Sequence, residues 1–237
     1  MTTMFRETYT CAVCGAEKEF YGIASTNSFG SPDLDLRPPQ MQRGTMSYWI
    51  QQCPKCRYVS GSISDDPANV TKEWLKSEAY VHSDGIKFRS GLADQFYKFY
   101  KISLLNEKTE RAFTALLHAA WACDDIEDEE NAARCRRAAI PLLNKVVEET
   151  AAGGEQPEED DCEDGSDKTD NLLLMKADLL RRSGQFETLL SEYAARSFKN
   201  DIMNKVLAFQ LAKAAKKDTS CYTVEEAVKG NAKRSRK

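Results

Sequence analysis

Two periods of hydrophobicity divide the chain. Up to about residue 64 apolar and polar positions alternate in short stretches, as in Ser47-Tyr48-Trp49-Ile50-Gln51-Gln52 and Arg57-Tyr58-Val59-Ser60-Gly61-Ser62-Ile63. That two-residue period predicts short strands. Between Ser28 and Gly44 the pattern is broken by Gly30, Pro32, Pro38 and Pro39, which predicts an ordered loop inserted among the strands. From Asp66 onward the spacing is helical. Asp66-Pro67 predicts an N-cap followed by proline at the first helical position, opening a helix through Trp74 to about Val81. Leu92, Phe96, Phe99, Tyr100, Ser103 and Leu104 make the apolar stripe of a second helix. Residues 109–123 predict a third, with Ala112, Leu116, Ala119, Ala120 and Cys123 facing inward. A fourth starts near Glu127, and Pro141 is expected to kink or split it near Ile140, because proline donates no backbone hydrogen bond.

Past residue 170 the helical period resumes. Leu172, Leu173, Ala177 and Leu180 mark one helix, Leu189, Leu190 and Tyr193 a second, and Val206, Leu207 and Leu211 a third. Residues 223–228 add one further turn. The interval before them, residues 150–169, carries Gly153, Gly154 and Pro157 and then an acidic run from Glu158 to Asp164. It has too little apolar surface to order itself and reads as a linker or disordered loop. The fold class that follows is mostly α with a small β zinc ribbon. Five segments result: a zinc-ribbon-like module over 1–65, a helical region with the first helix pairs over 66–149, the acidic linker over 150–169, C-terminal tetratricopeptide-like helices over 170–229, and a basic disordered tail over 230–237.

Composition sharpens this picture at three points. The 237 residues carry a formal net charge of -4, which disfavours a nucleic-acid partner. No apolar run approaches the ~20 residues of a membrane helix, so no membrane association is expected. The first residues, Met1-Thr2-Thr3-Met4-Phe5-Arg6-Glu7, lack the apolar core of a secretory signal. A cytoplasmic location is therefore expected, and in a reducing compartment the eight cysteines read as metal ligands or free thiols rather than disulfides.

Four of those cysteines have metal-site spacing. Cys11-Ala12-Val13-Cys14-Gly15 and Cys53-Pro54-Lys55-Cys56 are two CxxC turns, each able to point two thiolates at one ion, and two turns complete a tetrahedral shell. Gly15 suits the tight turn after the first pair. Cys11, Cys14, Cys53 and Cys56 are therefore the candidate ligands of one structural Zn2+ per chain. Four thiolates leave no open position for water or substrate. Ligand type alone also admits iron, as in rubredoxin. Cys123 and Cys135 fall on helical patterns and read as buried thiols, Cys162 lies in the acidic run, and Cys221 has no partner in sequence.

Asp33-Leu34-Asp35-Leu36 alternates carboxylates with leucines. In an extended segment the leucines would pin the loop to the ribbon while Asp33 and Asp35 face the other way, their carboxylates accepting backbone N–H bonds or, in the alternative, contacting a ligand or metal, although no third acidic or histidine ligand lies nearby in sequence. The stretch from Asn171 to Glu187 looks like a tetratricopeptide repeat, with Ala177 where two helices crowd and Gly184 at the turn, and residues 109–147 resemble a second, more degenerate pair; an irregular helical bundle would show the same periodicity.

In this order the motifs resemble a bacterial family of unknown function. The matching residues are Cys11, Cys14 and Gly15; Asp33, Asp35 and Leu36; Tyr48; and Cys53, Pro54, Cys56 and Tyr58. Arg57 stands where such ribbons usually have glycine. The resemblance implies small cytosolic proteins that pair an N-terminal zinc-ribbon-like module with helical repeats, and it implies no reaction.

The function expected is that of a non-enzymatic interaction or scaffold protein whose helical surface binds a protein or peptide partner. The alternatives are a nucleic-acid-binding ribbon using Phe20, Tyr21, Phe29, Tyr48, Trp49 and Tyr58, and a rubredoxin-like iron or thiol redox protein. The ribbon is near neutral, which weighs against the first. Catalysis has no motif here: the two histidines, His82 and His118, lie near a helix end and on an amphipathic helix.

Overall fold

The computed structural model describes residues 1–152 and 168–232. Its chain forms two compact units. The first comprises Met1–Gly30 and Pro39–Cys135, the second Ser31–Pro38 and the described part of Arg136–Lys237. The architecture is mostly helical with small antiparallel strand pairs.

In the first unit β1 (Thr3–Thr10) pairs antiparallel with β2 (Glu17–Ser25), placing Phe5 opposite Gly22 and Arg6 opposite Tyr21. The Phe5 ring lies over Gly22: a Cβ there would sit 2.3 Å from the ring, so a larger residue would have to push this exposed side chain aside. Both faces of this hairpin are largely exposed. Arg6 lies 4.6 Å over the Tyr21 ring and 3.6 Å from Glu19. A one-turn helix α1 (Gln40–Arg43) follows. A second pair, β3 (Gln51–Gln52) and β4 (Val59–Ser60), is short because it only frames a turn.

The single helix expected from Asp66 to Val81 is broken. Asp66 accepts the backbone N–H of Ala68 at 2.9 Å, and Ala68 takes a positive φ of 48°, so the aspartate makes a local turn in place of an N-cap. A 3-10 turn covers Trp74–Lys76, and Ser77 caps a separate short helix α2 (Glu78–Val81). Ser83, Asp84 and Gly85 then hold positive φ in succession, which no right-handed helix tolerates.

Helices α3 (Gly91–Leu105) and α4 (Thr109–Asp124) pack against each other. Ser90 caps α3 by accepting from Ala93 N. The buried residues of α3 are Ala93, Phe96, Tyr97, Lys98, Ile102 and Ser103; of the expected stripe Phe96 and Ser103 are buried and Leu104 is exposed. On α4 the expected inner residues Ala112, Leu116, Ala119, Ala120 and Cys123 are all buried. His118 sits among the rings of Trp49, Phe96 and Trp121, with centroids 4.9–5.1 Å away. Helix α5 (Glu129–Ala152) contains Pro141 yet stays one helix, and the boundary between the units falls within it. The expected split does not occur. Flanking turns on both sides supply enough hydrogen bonds to carry the one that proline removes.

The second unit contains α6 (Lys168–Arg182), α7 (Phe186–Tyr193), α8 (Asp201–Ala214) and α9 (Val224–Ala232). Helix α6 packs on α7 and α8, and α8 on α9. Ala177 is fully buried in α6, and Gly184 turns the chain into α7 at φ 79°. Tyr193 donates its hydroxyl to Leu173 O at 2.7 Å. Asn200 caps α8 through Ile202 N and Met203 N. The last element is longer than the expected turn, because Thr223 and Glu226 form a reciprocal cap: Thr223 N donates to the Glu226 carboxylate at 2.8 Å, and Glu226 N to Thr223 Oγ1 at 3.2 Å.

Residues 31–38 complete this unit. Leu34 N donates to Tyr222 O and Val224 N to Pro32 O, both at 2.9 Å, around an antiparallel bridge between Asp33 and Thr223. Leu34 is buried with Val206 and Ala227. The expectation that both leucines pin the loop to the ribbon is corrected: Leu34 enters the C-terminal core, and Leu36 is 48% exposed at φ 62°. The expected division of faces does not hold either, since Asp33 and Asp35 are buried together with Leu34. The expected linker 150–169 lies mostly outside the described residues, which resume at Lys168, and so does all of the expected tail beyond residue 232.

Candidate metal centre

The two CxxC turns fold alike. In the first, Gly15 N donates to Cys11 O at 2.8 Å and Cys11 N to Ala16 O at 2.8 Å; in the second, Arg57 N donates to Cys53 O at 3.0 Å and Cys53 N to Tyr58 O at 2.8 Å. The residue after the second cysteine turns the chain through the left-handed region in both, with φ 71° at Gly15 and 64° at Arg57. A glycine accepts that conformation freely and an arginine does not. The backbone N–H groups of Val13 and Cys14 point at the Cys11 sulfur, and those of Lys55 and Cys56 at the Cys53 sulfur.

Residues 58–65 tie the turns together. Ala12 N donates to Ile63 O at 2.9 Å, Ile63 N to the Gln51 side chain at 3.0 Å, and Ser64 Oγ to Thr10 O at 3.0 Å. Asp65 accepts from Ser60 Oγ at 2.6 Å and Ser62 N at 3.1 Å. Tyr80, buried on α2, donates its hydroxyl to Arg57 O at 2.7 Å.

The result brings all four expected ligands together. The sulfur atoms of Cys11, Cys14, Cys53 and Cys56 lie within 4.8 Å of one another. Cys11 Sγ is 3.6 Å from Cys56 Sγ, and Cys14 Sγ is 3.6 Å from Cys53 Sγ. A disulfide would need about 2.05 Å. The edge of a tetrahedron with ~2.3 Å metal–sulfur arms is about 3.8 Å, so the donor set and spacing fit a tetrathiolate metal ion. Cys11 and Cys53 are buried and Cys14 and Cys56 half-buried.

Electrostatics divide the thiols. Burial pushes the Cys11 thiol up. Burial also pushes Cys56 up, and its three neighbouring thiols add to this. At Cys53 burial acts in the same sense but is outweighed by the N–H groups of Cys56 and Lys55 and by the Cys14 and Cys11 thiols, which bring it down to about 7. A cation among the sulfurs would displace the protons that this environment retains.

Among the described residues no other group of cysteine, histidine and carboxylate side chains has metal-ligand spacing. Asp35 belongs instead to an ion cluster of the second unit. Its carboxylate lies 3.4 Å from Arg136 and 3.2 Å from Arg182, and it accepts Arg37 N at 3.4 Å. The expected backbone bond exists, but two buried guanidinium groups dominate. Cys123 and Cys135 are buried thiols, as expected, Cys221 is exposed, and Cys162 lies outside the described residues. His82 pairs with Glu78 at the surface, and burial among rings lowers His118 to about 4. Sequence reasoning missed Tyr80 and Asp65, which carry no local motif.

These features define a helical protein with an N-terminal four-cysteine ribbon. The family model for an uncharacterized protein conserved in bacteria, DUF2225, matches residues 4–222, and the chain belongs to that family. Comparison with curated proteins and with solved structures gave no match. No helix among the described residues is long and apolar enough to cross a membrane.

Proposed function

We propose that the protein is a non-enzymatic interaction protein, in which one structural Zn2+ held by Cys11, Cys14, Cys53 and Cys56 fixes the ribbon and the C-terminal helices bind a protein or peptide segment. The observation that carries the metal half is the closed set of four sulfurs, with contacts of 3.6 Å between the two turns. A tetrathiolate shell has no site for substrate, which favours a structural ion. Two short strand pairs, the first largely exposed on both faces, draw stability from an ion that ties their turns together. The free thiols at Cys123 and Cys135 suit a reducing compartment, the cytoplasm.

The docking half rests on a cavity of about 200 Å³ in the second unit, walled by Leu34, Leu36, Leu174, Ile202, Val206 and Val224. Its size compares with the ~150 Å³ apolar cavity that takes a benzene-sized group. One aromatic or branched aliphatic side chain of an extended partner segment fits that space, with the exposed Leu36 and Ile202 at the rim. The buried Ala177 and the Gly184 turn are the features of the tetratricopeptide-like reading of these helices.

Elemental mass spectrometry of the untagged protein and of Cys53→Ser tests the metal. One zinc per native chain, lost in the variant together with the ribbon fold, is the expected result. One iron with rubredoxin-like absorption, or no metal at all, overturns the zinc assignment. For the docking half, peptides carrying a single Phe or Leu anchor are titrated against the metal-loaded protein. Binding lost in Ile202→Glu is expected, and no binding by any anchor sinks this half.

A further inference from the structure

The second unit is not contiguous in sequence. Its core includes residues 31–38, whose flanking residues on both sides belong to the first unit. The segment leaves and returns through a narrow neck: a Cβ on Gly30, which holds φ +117°, would lie 3.3 Å from Pro39 Cβ. Its tip is closed by Asp33 N donating to Arg37 O at 3.0 Å and Leu36 N to Asp33 O at 2.9 Å. From this tip Leu34 enters the C-terminal core, and Asp35 reaches Arg136 and Arg182. Leu34 and Leu36 also form one wall of the 200 Å³ cavity. The cavity therefore exists only while the loop is docked.

The same loop lies inside the span that the cysteine cluster closes. Cys14 precedes it, Cys53 follows it, and the two sulfurs are 3.6 Å apart. A metal ion at the cluster cross-links the chain on either side of residues 31–38. We propose that metal occupancy gates the cavity: the bound ion holds the loop ends together and keeps the loop docked, and loss of the ion releases loop and cavity wall together. This rests on the reading of the cluster as a metal centre and of the cavity as the docking site.

The size of the coupling follows from loop closure. The ion closes the loop of 39 positions between Cys14 and Cys53, within which residues 31–38 lie. Closure probability falls as roughly the 3/2 power of length, and the ratio of the outer loop to the inner one sets the expected coupling at about tenfold. Coupling between two sites is reciprocal. Weakening the docked loop at Asp35 therefore weakens metal binding by up to the same factor, although Asp35 is no ligand.

The test is hydrogen exchange on the full chain loaded with zinc, before and after removal of the ion by a chelator. Amides of α6 and α8 are expected to exchange about tenfold faster in the stripped protein. Fast exchange confined to β3 and β4, with α6 and α8 unchanged, overturns the gate and leaves the metal reading intact. A chain that takes up no zinc overturns both. Competition between Asp35→Asn and a chelating zinc indicator gives the reciprocal arm: zinc affinity weakened severalfold to tenfold is expected, and native affinity refutes the coupling. Should Asp35→Asn not fold, the exchange experiment on the native chain decides alone.

Discussion

Arg57 is the sharpest point at which to test the account of the cysteine turns. It holds φ 64° in the same position that Gly15 occupies at φ 71° in the first turn. For an L-residue the left-handed conformation costs about 1–2 kcal/mol, whereas glycine adopts it freely. Glycine brings a more flexible unfolded chain, which returns roughly 0.5–1 kcal/mol of that gain. Arg57→Gly should therefore stabilise the metal-loaded protein by about 0.5–1 kcal/mol. The Arg57 side chain is exposed, and the bonds that matter, from its N–H to Cys53 O and from Tyr80 to its carbonyl, are made by backbone and survive the change. Gly15→Ala is the mirror experiment. A Cβ at Gly15 meets nothing within 4 Å, so only the backbone conformation is altered, and a loss of about 0.5–1 kcal/mol is expected. Urea denaturation of the zinc-loaded protein, followed by near-ultraviolet signals of the ribbon tyrosines, reads both. If Arg57→Gly is neutral or destabilising while Gly15→Ala is silent, backbone conformation is not what limits these turns and the argument fails.

Two further substitutions probe the surroundings of the site. Tyr80→Phe removes the hydroxyl that donates to Arg57 O, a part-buried bond worth about 1 kcal/mol; faster zinc transfer to a chelator is expected, and a native transfer rate would show that Tyr80 does not hold the turn. His118 titrates near 4 in the fold against about 6.5 unfolded. The unfolded chain thus binds more protons between those values, so the stability from neutral His118 is complete above pH 6.5 and lost as pH falls. About 2 kcal/mol should disappear by pH 5. His118→Phe should lack this component, and parallel stability curves for native and variant protein from pH 7.5 to 5 would contradict it.

The cysteine turns were legible in the sequence because each is a four-residue local event, and the spacing of sulfur ligands is chemistry written in short range. The inner face of α4 was legible for a similar reason, its alanines and Leu116 recurring at helical period. What sequence order conceals is the destination of residues 31–38. Asp35 meets Arg136 and Arg182 across 101 and 147 positions, and no local pattern encodes such partners. The broken helix after Asp66 has a different origin. Aspartate before proline satisfies an Asx turn as readily as an N-cap, and the positive φ at Ala68 is set by the surrounding turn rather than by alanine's own preference. The Thr223–Glu226 capping box, by contrast, was visible in the sequence as a Thr-x-x-Glu pattern heading α9 and would have extended the expected turn into a helix.

The outer edge of β1 has a bearing on how copies of the chain meet. Among the described residues β1 pairs with no strand but β2, and on its outer edge, where Thr10 O accepts Ser64 Oγ, the backbone has no partner strand, the kind of template on which strands add. Two copies joined there antiparallel are related by an axis normal to the sheet, so residues facing each other must share a face, and their numbers must sum to an even value. The register that would set Arg6 against Glu7 sums to thirteen and is forbidden by the pleat. The two registers of greatest overlap that remain place Arg6 against Arg6 or Glu7 against Glu7, and like charges directly opposite repel. The adjacent opposite charges of Arg6 and Glu7 at the middle of the strand thus disfavour antiparallel pairing of this edge with its own copy, a constraint that does not apply to a strand of different sequence.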